Sequence, residues 1–239
     1  MREMVLRLRH SFWAALFLVT LACQGSQVQG PQDQRVSQPA IEKEQQENFL
    51  GPQSKQAKGE QRVLMVAVRF PDVKPRFSLD HIKKRAVTRL SHYVKTQSYG
   101  QAWIRPHFIG WVSLPDPISQ YRVSPDNFKV DRGRVRKLIE DTMTAVEKKV
   151  DFSQYDHMLI IPGAFTLPGK GYGMGCYCAN PGMLTGVRGF PRYLTLRSKG
   201  GQEFSHGILV GVENAHLGMF AHDLFHAFGG VHAGKRLVP

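Results

Sequence analysis

Long hydrophobic runs are almost absent from this sequence of 239 residues. The longest, SFWAALFLVTLAC at residues 11–23, is too short to cross a bilayer as an ordinary helix. A basic segment, MREMVLRLRH, precedes this run and small residues end it, which is the order of parts in an export signal. A buried helix is the alternative, but a polar stretch separates the run from the segments that can fold. We therefore predict that residues 1–23 are an export signal and that the protein is exported, to be secreted or anchored at the cell surface or periplasm.

Cysteine is rare as well, with three residues in the whole chain. Cys23 stands where a bacterial lipoprotein signal carries its lipidated cysteine, although Thr20 replaces the aliphatic residue that is usual three positions earlier. Attachment to a membrane through lipidated Cys23 and simple secretion after Ala22 therefore both stay open. A lipid on a flexible arm would hold the domain near a membrane without crossing it.

The other two cysteines, Cys176 and Cys178, lie in GYGMGCYCANPG, whose glycines and Asn-Pro pair predict a loop. An oxidising compartment favours disulfides, but a bond across a single intervening residue is strained. Two thiols alone are also too few for a second metal site. Pairing with cysteines in a longer form of the protein is a further alternative, and the sequence alone does not choose among these roles.

Acidic residues are outnumbered, with 19 of them against 32 lysines and arginines, so the net charge is +13. Such a basic exported domain is attracted to anionic surfaces, glycans or acidic substrates. The basic residues are dispersed over segments such as HIKKRAVTRL and DRGRVRKLIEDT, without a recognised nucleic-acid-binding motif. Solvated helix faces explain most of them, so no specific nucleic-acid partner is predicted. A basic DNA- or glycan-binding domain with incidental histidines stays as a weaker alternative.

Aliphatic residues are scarce between residues 24 and 60, a segment rich in Gln, Ser, Pro and charge. Such a composition buries too little apolar area to offset chain entropy, which predicts a disordered tether. A propeptide that covers a metal site is the alternative. The segment contains no cysteine, so a thiol switch has little support.

Residues 61–239 have the strand patterns of a folded domain. Short apolar runs predict buried strands at RVLMVAVRF, HMLIIPG and EFSHGILVGV. The segment WIRPHFIGWVSL also has strand character, but Pro106 and Gly110 interrupt it, which suggests a sheet edge or a bulge. The long segment over 162–188, with its glycines and prolines, is predicted to be loop.

Two amphipathic helices are predicted between these strands. In the first, over 78–98, Ser78 can cap the first turn and the apolar residues fall at helical spacing: Ile82, Ala86, Leu90, Tyr93 and Val94. In the second, over 131–150, one face carries Val135, Leu138, Ile139, Thr142 and Val146. The alternation of strands and helices predicts an α/β fold with a mixed twisted sheet.

Three histidines occur within eleven residues near the C-terminus, in HDLFHAFGGVH. In a helix over about 215–228, His222 and His226 are four residues apart, so their imidazoles emerge on one face. Gly229 can take the left-handed conformation that ends a helix and reverses the chain, which can bring His232 back towards the pair. Three neutral imidazoles with one open position are the usual ligands of a catalytic zinc ion. The spacing therefore predicts a Zn²⁺ site formed by His222, His226 and His232.

The motif resembles the H-E-x-x-H-x-x-G-x-x-H signature of the metzincin zinc peptidases, with Asp223 where that family has glutamate. Upstream, RVLMVAVRFPD, SYGQAWIRPHFIGWVSLPDP and VDFSQYDHMLIIPG are similar to segments of the immune-inhibitor-A-like and gametolysin-like secreted peptidases. The likeness extends over roughly residues 61–234. It implies a zincin-like domain in which a helix carries the zinc ligands His222 and His226, His232 is the third ligand, and Asp223 is catalytic, in the position of the general base.

Two departures from the family pattern bear on activity. Aspartate is one methylene shorter than glutamate, so Asp223 reaches less far towards a zinc-bound water. It could contact that water through a shifted helix or a second water, or only orient a histidine. The family also continues to a methionine-containing turn beyond the third histidine, whereas this chain ends at Pro239 and Met219 precedes the motif. We therefore expect either a C-terminally truncated domain or a degenerate relative.

The resemblance implies an exported zinc-dependent metallopeptidase that hydrolyses a peptide or protein substrate through zinc-activated water. In the zincin arrangement the substrate pairs with an edge strand beside the zinc helix, and ILVGV or YLTLR is a candidate for that strand. The alternative function is that of a catalytically degenerate, peptidase-like surface protein that binds without hydrolysis.

Overall fold

A five-stranded sheet lies at the centre of the protein, which we describe from a computed structural model. All described residues belong to one unit of the chain, Ala40–Pro239. The predicted export signal, Cys23 and residues 24–56 of the predicted tether lie outside the described part. The structure describes residues 57–123, 130–167, 171–185 and 193–229, and the backbone alone at 231–232 and 235–236.

The strands of the sheet are β1 Gly59–Arg69, β2 Ala102–Ser113, β3 His157–Pro162, β4 Cys176–Asn180 and β7 Gly207–Gly211. Their order is β2-β1-β3-β7-β4, in which β4 runs antiparallel to β7 and all the other neighbours are parallel. Outside this sheet, β5 Leu196–Arg197 pairs with β6 Glu203–Phe204, and β8 Val231–His232 pairs with β9 Lys235–Arg236. The predicted α/β class with a mixed sheet is confirmed.

Both predicted helices are present. The first, α1 at 79–97, consists of an α-helical Leu79–Ile82, a π-helical Lys83–Arg89 and an α-helical Leu90–Gln97. Ser78 caps it as predicted, because its Oγ accepts a hydrogen bond of 3.2 Å from the backbone N–H of His81. The second, α2, spans Arg132–Val146. No helix in the described ranges is long and apolar enough to cross a membrane.

The two crossover helices lie on opposite faces of the sheet. The connections β1-α1-β2 and β2-α2-β3 run in opposite directions along the strand order, and parallel crossovers are right-handed. The packing contacts are consistent with this placement of α1 and α2. Helix α1 packs against the third helix, α3 Leu217–Ala227, whereas α2 packs against β5. The histidine-bearing helix therefore shares its face of the sheet with α1.

Burial explains why the central strands read as continuous apolar runs. Every residue from Val63 to Val68 in β1 is at most 1% exposed, and all six residues of β3 are buried. Strands of a parallel sheet that is covered on both faces require this pattern. The predicted apolar face of α2 is buried throughout, but Tyr93 of α1 is 39% exposed and does not belong to the core.

The interruptions in WIRPHFIGWVSL mark an edge strand with a bulge, as predicted. Strand β2 lies at one edge of the sheet. Its register with β1 shifts where Val66 pairs with Ile109 and Val68 pairs with Val112, so that Gly110 and the next residue face a single residue of β1. An extra residue of this kind locally bends a strand.

Three sequence predictions about strands are wrong. EFSHGILVGV is not one strand, because Glu203–Phe204 forms β6 of the two-stranded sheet and Gly207–Gly211 forms β7 of the central sheet. The segment 162–188 is not loop throughout, because Cys176–Asn180 forms the buried edge strand β4. Neither candidate for the edge strand beside the histidine helix lies there. ILVGV falls largely in β7, which hydrogen-bonds to β3 and β4 on its two sides, and YLTLR contributes β5 to the separate two-stranded sheet. The edge position beside α3 is occupied by β4.

A buried histidine makes the fold sensitive to acid. His157, at the start of β3, is 2% exposed, and its Nε2–H donates to Gln61 Oε1 at 3.0 Å. Within the described residues its Nδ1 has no hydrogen-bond partner. Burial, opposed by the charge of Asp156 and assisted by the neighbouring His206, lowers the pKa of His157 to about 4. The imidazole is therefore neutral in the folded protein at neutral pH.

We expect the free energy of unfolding to fall by up to about 3 kcal/mol between pH 7 and pH 4 because of His157. As the pH falls through about 6.5, the unfolded chain binds a proton that the folded chain excludes, so stability is lost in this window. Urea unfolding of the wild type and of His157→Gln across this range measures the effect, since all other groups titrate in both proteins. An equal loss in the two proteins would contradict the assignment.

Candidate metal centre

The helix that carries the histidines is held against the sheet by its apolar face. Phe220, Leu224 and Ala227 of α3 are each buried. The helix comes very close to β7, because a Cβ placed on Gly211 would lie 2.3 Å from Cε1 of Phe220. A glycine at this point of the strand provides the space into which the aromatic ring packs.

The start of α3 is fixed by a buried carboxylate and a guanidinium. Glu213, just after β7, is 2% exposed and accepts hydrogen bonds of 2.9–3.1 Å from the backbone N–H groups of Arg76 and Phe77. Arg85 of α1 donates to the carbonyl oxygens of Glu213 and Ala215, each at 3.3 Å. These bonds tie the turn that leads into α3 both to α1 and to the segment that precedes it.

Two imidazoles meet on this helix as the spacing predicts. The Nε2 atoms of His222 and His226 are 3.1 Å apart, and the two ring planes make an angle of 74°. His226 is buried and His222 is exposed. Two nitrogens bound to one tetrahedral zinc ion at ~2.0–2.1 Å each lie about 3.3 Å apart, so the pair fits a shared zinc ion with a small adjustment.

The helix ends where the sequence predicts, but the third ligand is not described. Gly229 has a φ of +76°, in the left-handed region, and its N–H donates to the carbonyl oxygen of His226 at 2.8 Å. The backbone of His232 pairs with that of Lys235 in the β8–β9 hairpin. The side chain of His232 lies outside the described residues, so its role as a zinc ligand stays a prediction.

Asp223 faces strand β4. Asp223 is 8% exposed and lines the same cavity as Cys176 and Cys178 of that strand. Burial raises the pKa of the Asp223 carboxyl; the Cys176 thiol, the charge of His222 and the Cys178 N–H act in the opposite direction. Burial, and next the charge of Asp223, raise the pKa of the Cys176 thiol well above its usual range, so the thiol keeps its proton.

A cavity of about 520 Å³ joins these groups. It is lined by His222, His226 and Asp223 on the helix side and by Cys176 on the strand side. Three methionines, which the sequence analysis did not assign to the site, complete much of its apolar wall: Met174, Met183 and Met219. Thioether side chains adapt their shape readily, so this wall can accommodate apolar groups of different form.

The arrangement supplies two convergent imidazoles, a buried carboxylate and an open cavity. Within the described residues, no group of three or more His, Cys, Asp and Glu side chains is placed to hold a metal ion, so the described ligand set is the histidine pair. Both described cysteines, Cys176 and Cys178, are free thiols rather than a disulfide. The chain matches no family model and no curated protein.

Proposed function

We propose that this protein is an exported zinc-dependent metallopeptidase with a zincin-like fold. The observation that carries the proposal is the 3.1 Å separation of the His222 and His226 Nε2 atoms at the wall of an open cavity. In the proposal these two imidazoles hold the zinc ion together with His232. Zinc, when bound, supplies a Lewis acid for the scissile carbonyl and lowers the pKa of a coordinated water.

The sheet supports a peptide substrate. Strand β4 is the antiparallel edge strand, and it packs against α3 beside the histidine pair. An extended peptide can add to a free sheet edge by backbone hydrogen bonds. In β4 the carbonyl oxygens of Cys178 and Ala179 already accept hydrogen bonds from the N–H groups of Met183 and Leu184, so the proposal places the peptide at the Cys176 end of the strand. Such a peptide would pass the cavity that His222 and His226 line. Asp223, on the same wall, is the group proposed to accept a proton from the attacking water.

A second candidate function is a peptidase-like protein that binds peptides and hydrolyses nothing. The specific observation in its favour is the environment of Asp223, which is 8% exposed and enclosed between α3 and the cysteines of β4. A carboxylate held in this way has less freedom to reach a water at the histidine pair. Turnover, rather than binding, distinguishes the two functions.

The decisive experiment compares Asp223 variants in peptide cleavage with zinc present. We expect the wild type to cleave unstructured peptides and Asp223→Asn to lower kcat by about 10²–10⁴-fold, because the amide cannot accept the proton. Asp223→Glu is the matched control, since it restores the longer acid. If the wild type cleaves nothing while Asp223→Glu does, the protein is the non-hydrolysing relative.

A further inference from the structure

A second cavity, of about 510 Å³, lies on the face of the sheet opposite helix α3. Gly207 of β7 faces α3, because a Cβ placed on it would lie 2.6 Å from the carbonyl oxygen of Ala227. Side chains alternate between the two faces of a strand, and the register from β7 through β3 and β1 to β2 places Arg62, Arg105 and His107 on the other face. The cavity that these three side chains line is therefore separate from the one beside the histidine pair.

Two arginines stand side by side at this cavity, and only one of them is firmly ion-paired. Arg62 of β1 and Arg105 of β2 are register partners on adjacent strands, which lie about 4.8 Å apart. Asp156 accepts hydrogen bonds of 3.0 Å from Nε and 2.8 Å from Nη2 of Arg62. The Arg105 Nη1 atom lies 3.4 Å from Glu60 Oε1, and the Arg105 side chain is 72% exposed, so this pair compensates its charge only weakly. Like charges at neighbouring positions destabilise a sheet, and a bound anion would relieve their repulsion.

The other side chains at the cavity suit a sugar ring. Tyr155 and His107 are joined by a hydrogen bond between the phenol oxygen and Nδ1, and their ring centroids are 5.7 Å apart. The apolar C–H face of a sugar can pack on such rings. Gln154 also lines the cavity, and its amide both donates and accepts hydrogen bonds, as hydroxyl groups require. Trp103, which is 42% exposed and two residues before Arg105, extends the aromatic surface along the same face of β2.

We propose that this cavity binds an acidic saccharide, with the carboxylate of a uronic acid held by Arg105 beside Arg62 and the sugar ring packed on Tyr155 and His107. A planar guanidinium matches a carboxylate through two parallel hydrogen bonds. The cavity has the volume of a small-molecule site, and among the described residues no acidic side chain lines it. A single negative charge with hydroxyl groups around it therefore fits the lining.

Other anionic partners fit this cavity less well. Glu60 and Asp156 flank the arginine pair, so they repel the closely spaced charges of a nucleic-acid backbone, whereas they can accept hydrogen bonds from sugar hydroxyls. An acidic peptide would add to edge strand β2 by backbone hydrogen bonds, but Pro106 has no N–H and the bulge at Gly110 distorts the strand. The site does not depend on the proposed function, because it lies on the opposite face of the sheet from the histidine pair.

Calorimetric titration of the purified protein with a hyaluronan tetrasaccharide, in which glucuronate alternates with a neutral sugar, tests the proposal. We expect Arg105→Gln to weaken binding roughly 10–100-fold, because hydrogen bonds to a charged group are lost. Arg105→Lys should weaken it too, since an ammonium cannot form the two parallel bonds. Arg197→Gln is the matched control: Arg197 is 69% exposed and ion-paired to Glu203, so the same charge is removed at a similar exposure elsewhere. This control should bind the tetrasaccharide as the wild type does.

The outcomes that overturn the proposal are distinct. A wild type that does not bind the acidic tetrasaccharide, or that binds a neutral N-acetylglucosamine tetrasaccharide as tightly, has no uronate site. Equal weakening in Arg105→Gln and Arg197→Gln would mean attraction to net charge alone. Tighter binding of an oligothymidylate or a polyglutamate peptide, lost in Arg105→Gln, would assign the site to nucleic acid or to acidic peptides instead. Zinc content should be unchanged in Arg105→Gln, so this proposal and the proposed function can fail separately.

Discussion

Substitution His226→Ala is expected to abolish stoichiometric zinc binding by the protein purified without added metal. The Nε2 atoms of His222 and His226 are 3.1 Å apart, so removal of one leaves the other as the only member of the described pair. Loss of a group that merely orients a ligand costs about 10–100-fold in metal affinity. Loss of a ligand itself should therefore weaken zinc binding by more than about 100-fold. Metal analysis of the purified proteins gives the result directly.

The matched control for this measurement is His216→Ala. His216 precedes the same helix and lines the same cavity, yet it does not join the pair in a group able to hold a metal. The control should retain zinc while His226→Ala loses it. Equal zinc in both variants would contradict the assigned ligands. If the wild type contains no zinc, the result would instead favour the hypothesis that the protein is a basic DNA- or glycan-binding domain in which the histidines are incidental.

Most of the architecture follows from local patterns in the sequence. The runs that become β1 and β3 are apolar without interruption because both faces of those strands are covered, and the spacing in 131–150 matches the buried face of α2. The order of strands does not follow from such patterns. β4 has no run of β-branched residues and is flanked by Gly175 and Pro181, so it resembles a loop until β7, more than 25 residues later, pairs with it.

The candidate site, like the fold, has one part that local sequence patterns predict and one part that they do not. The approach of His222 and His226 is predictable because four residues make about one helical turn, and Gly229 ends the helix with the positive φ that its type allows. The neighbours of Asp223 are not predictable from spacing. Cys176 lies more than 40 residues earlier in the chain, and only the antiparallel placement of β4 beside α3 brings it into the same cavity wall as Asp223. In the sequence, the signal for strand β4 is the segment CYCAN, in which the two cysteines are two residues apart and so lie on one face of a strand. The glycines around this segment predict a loop instead.

A methyl group added at Gly207 is expected to separate the histidine helix from the sheet. A Cβ at this position in β7 would lie 2.6 Å from the carbonyl oxygen of Ala227 and 2.6 Å from Nδ1 of His157. Both distances are far below van der Waals contact, and the first involves backbone, so a side-chain rotation cannot relieve it. Overpacking of this kind costs about 1–3 kcal/mol or more.

We therefore expect Gly207→Ala to lower Tm by roughly 5–10 °C, which corresponds to about 2–3 kcal/mol in a protein of this size. Zinc affinity should fall with it, because the displaced segment directly follows His226 in α3. Gly218→Ala is the matched control: its Cβ would lie 3.3 Å from atoms of the exposed His216 side chain, which can move, and alanine favours a helix by up to about 1 kcal/mol. Thermal unfolding with and without zinc separates the two variants. Because the strain lies between β7 and the end of α3, an unchanged Tm in Gly207→Ala would mean that the helix does not approach the strand this closely.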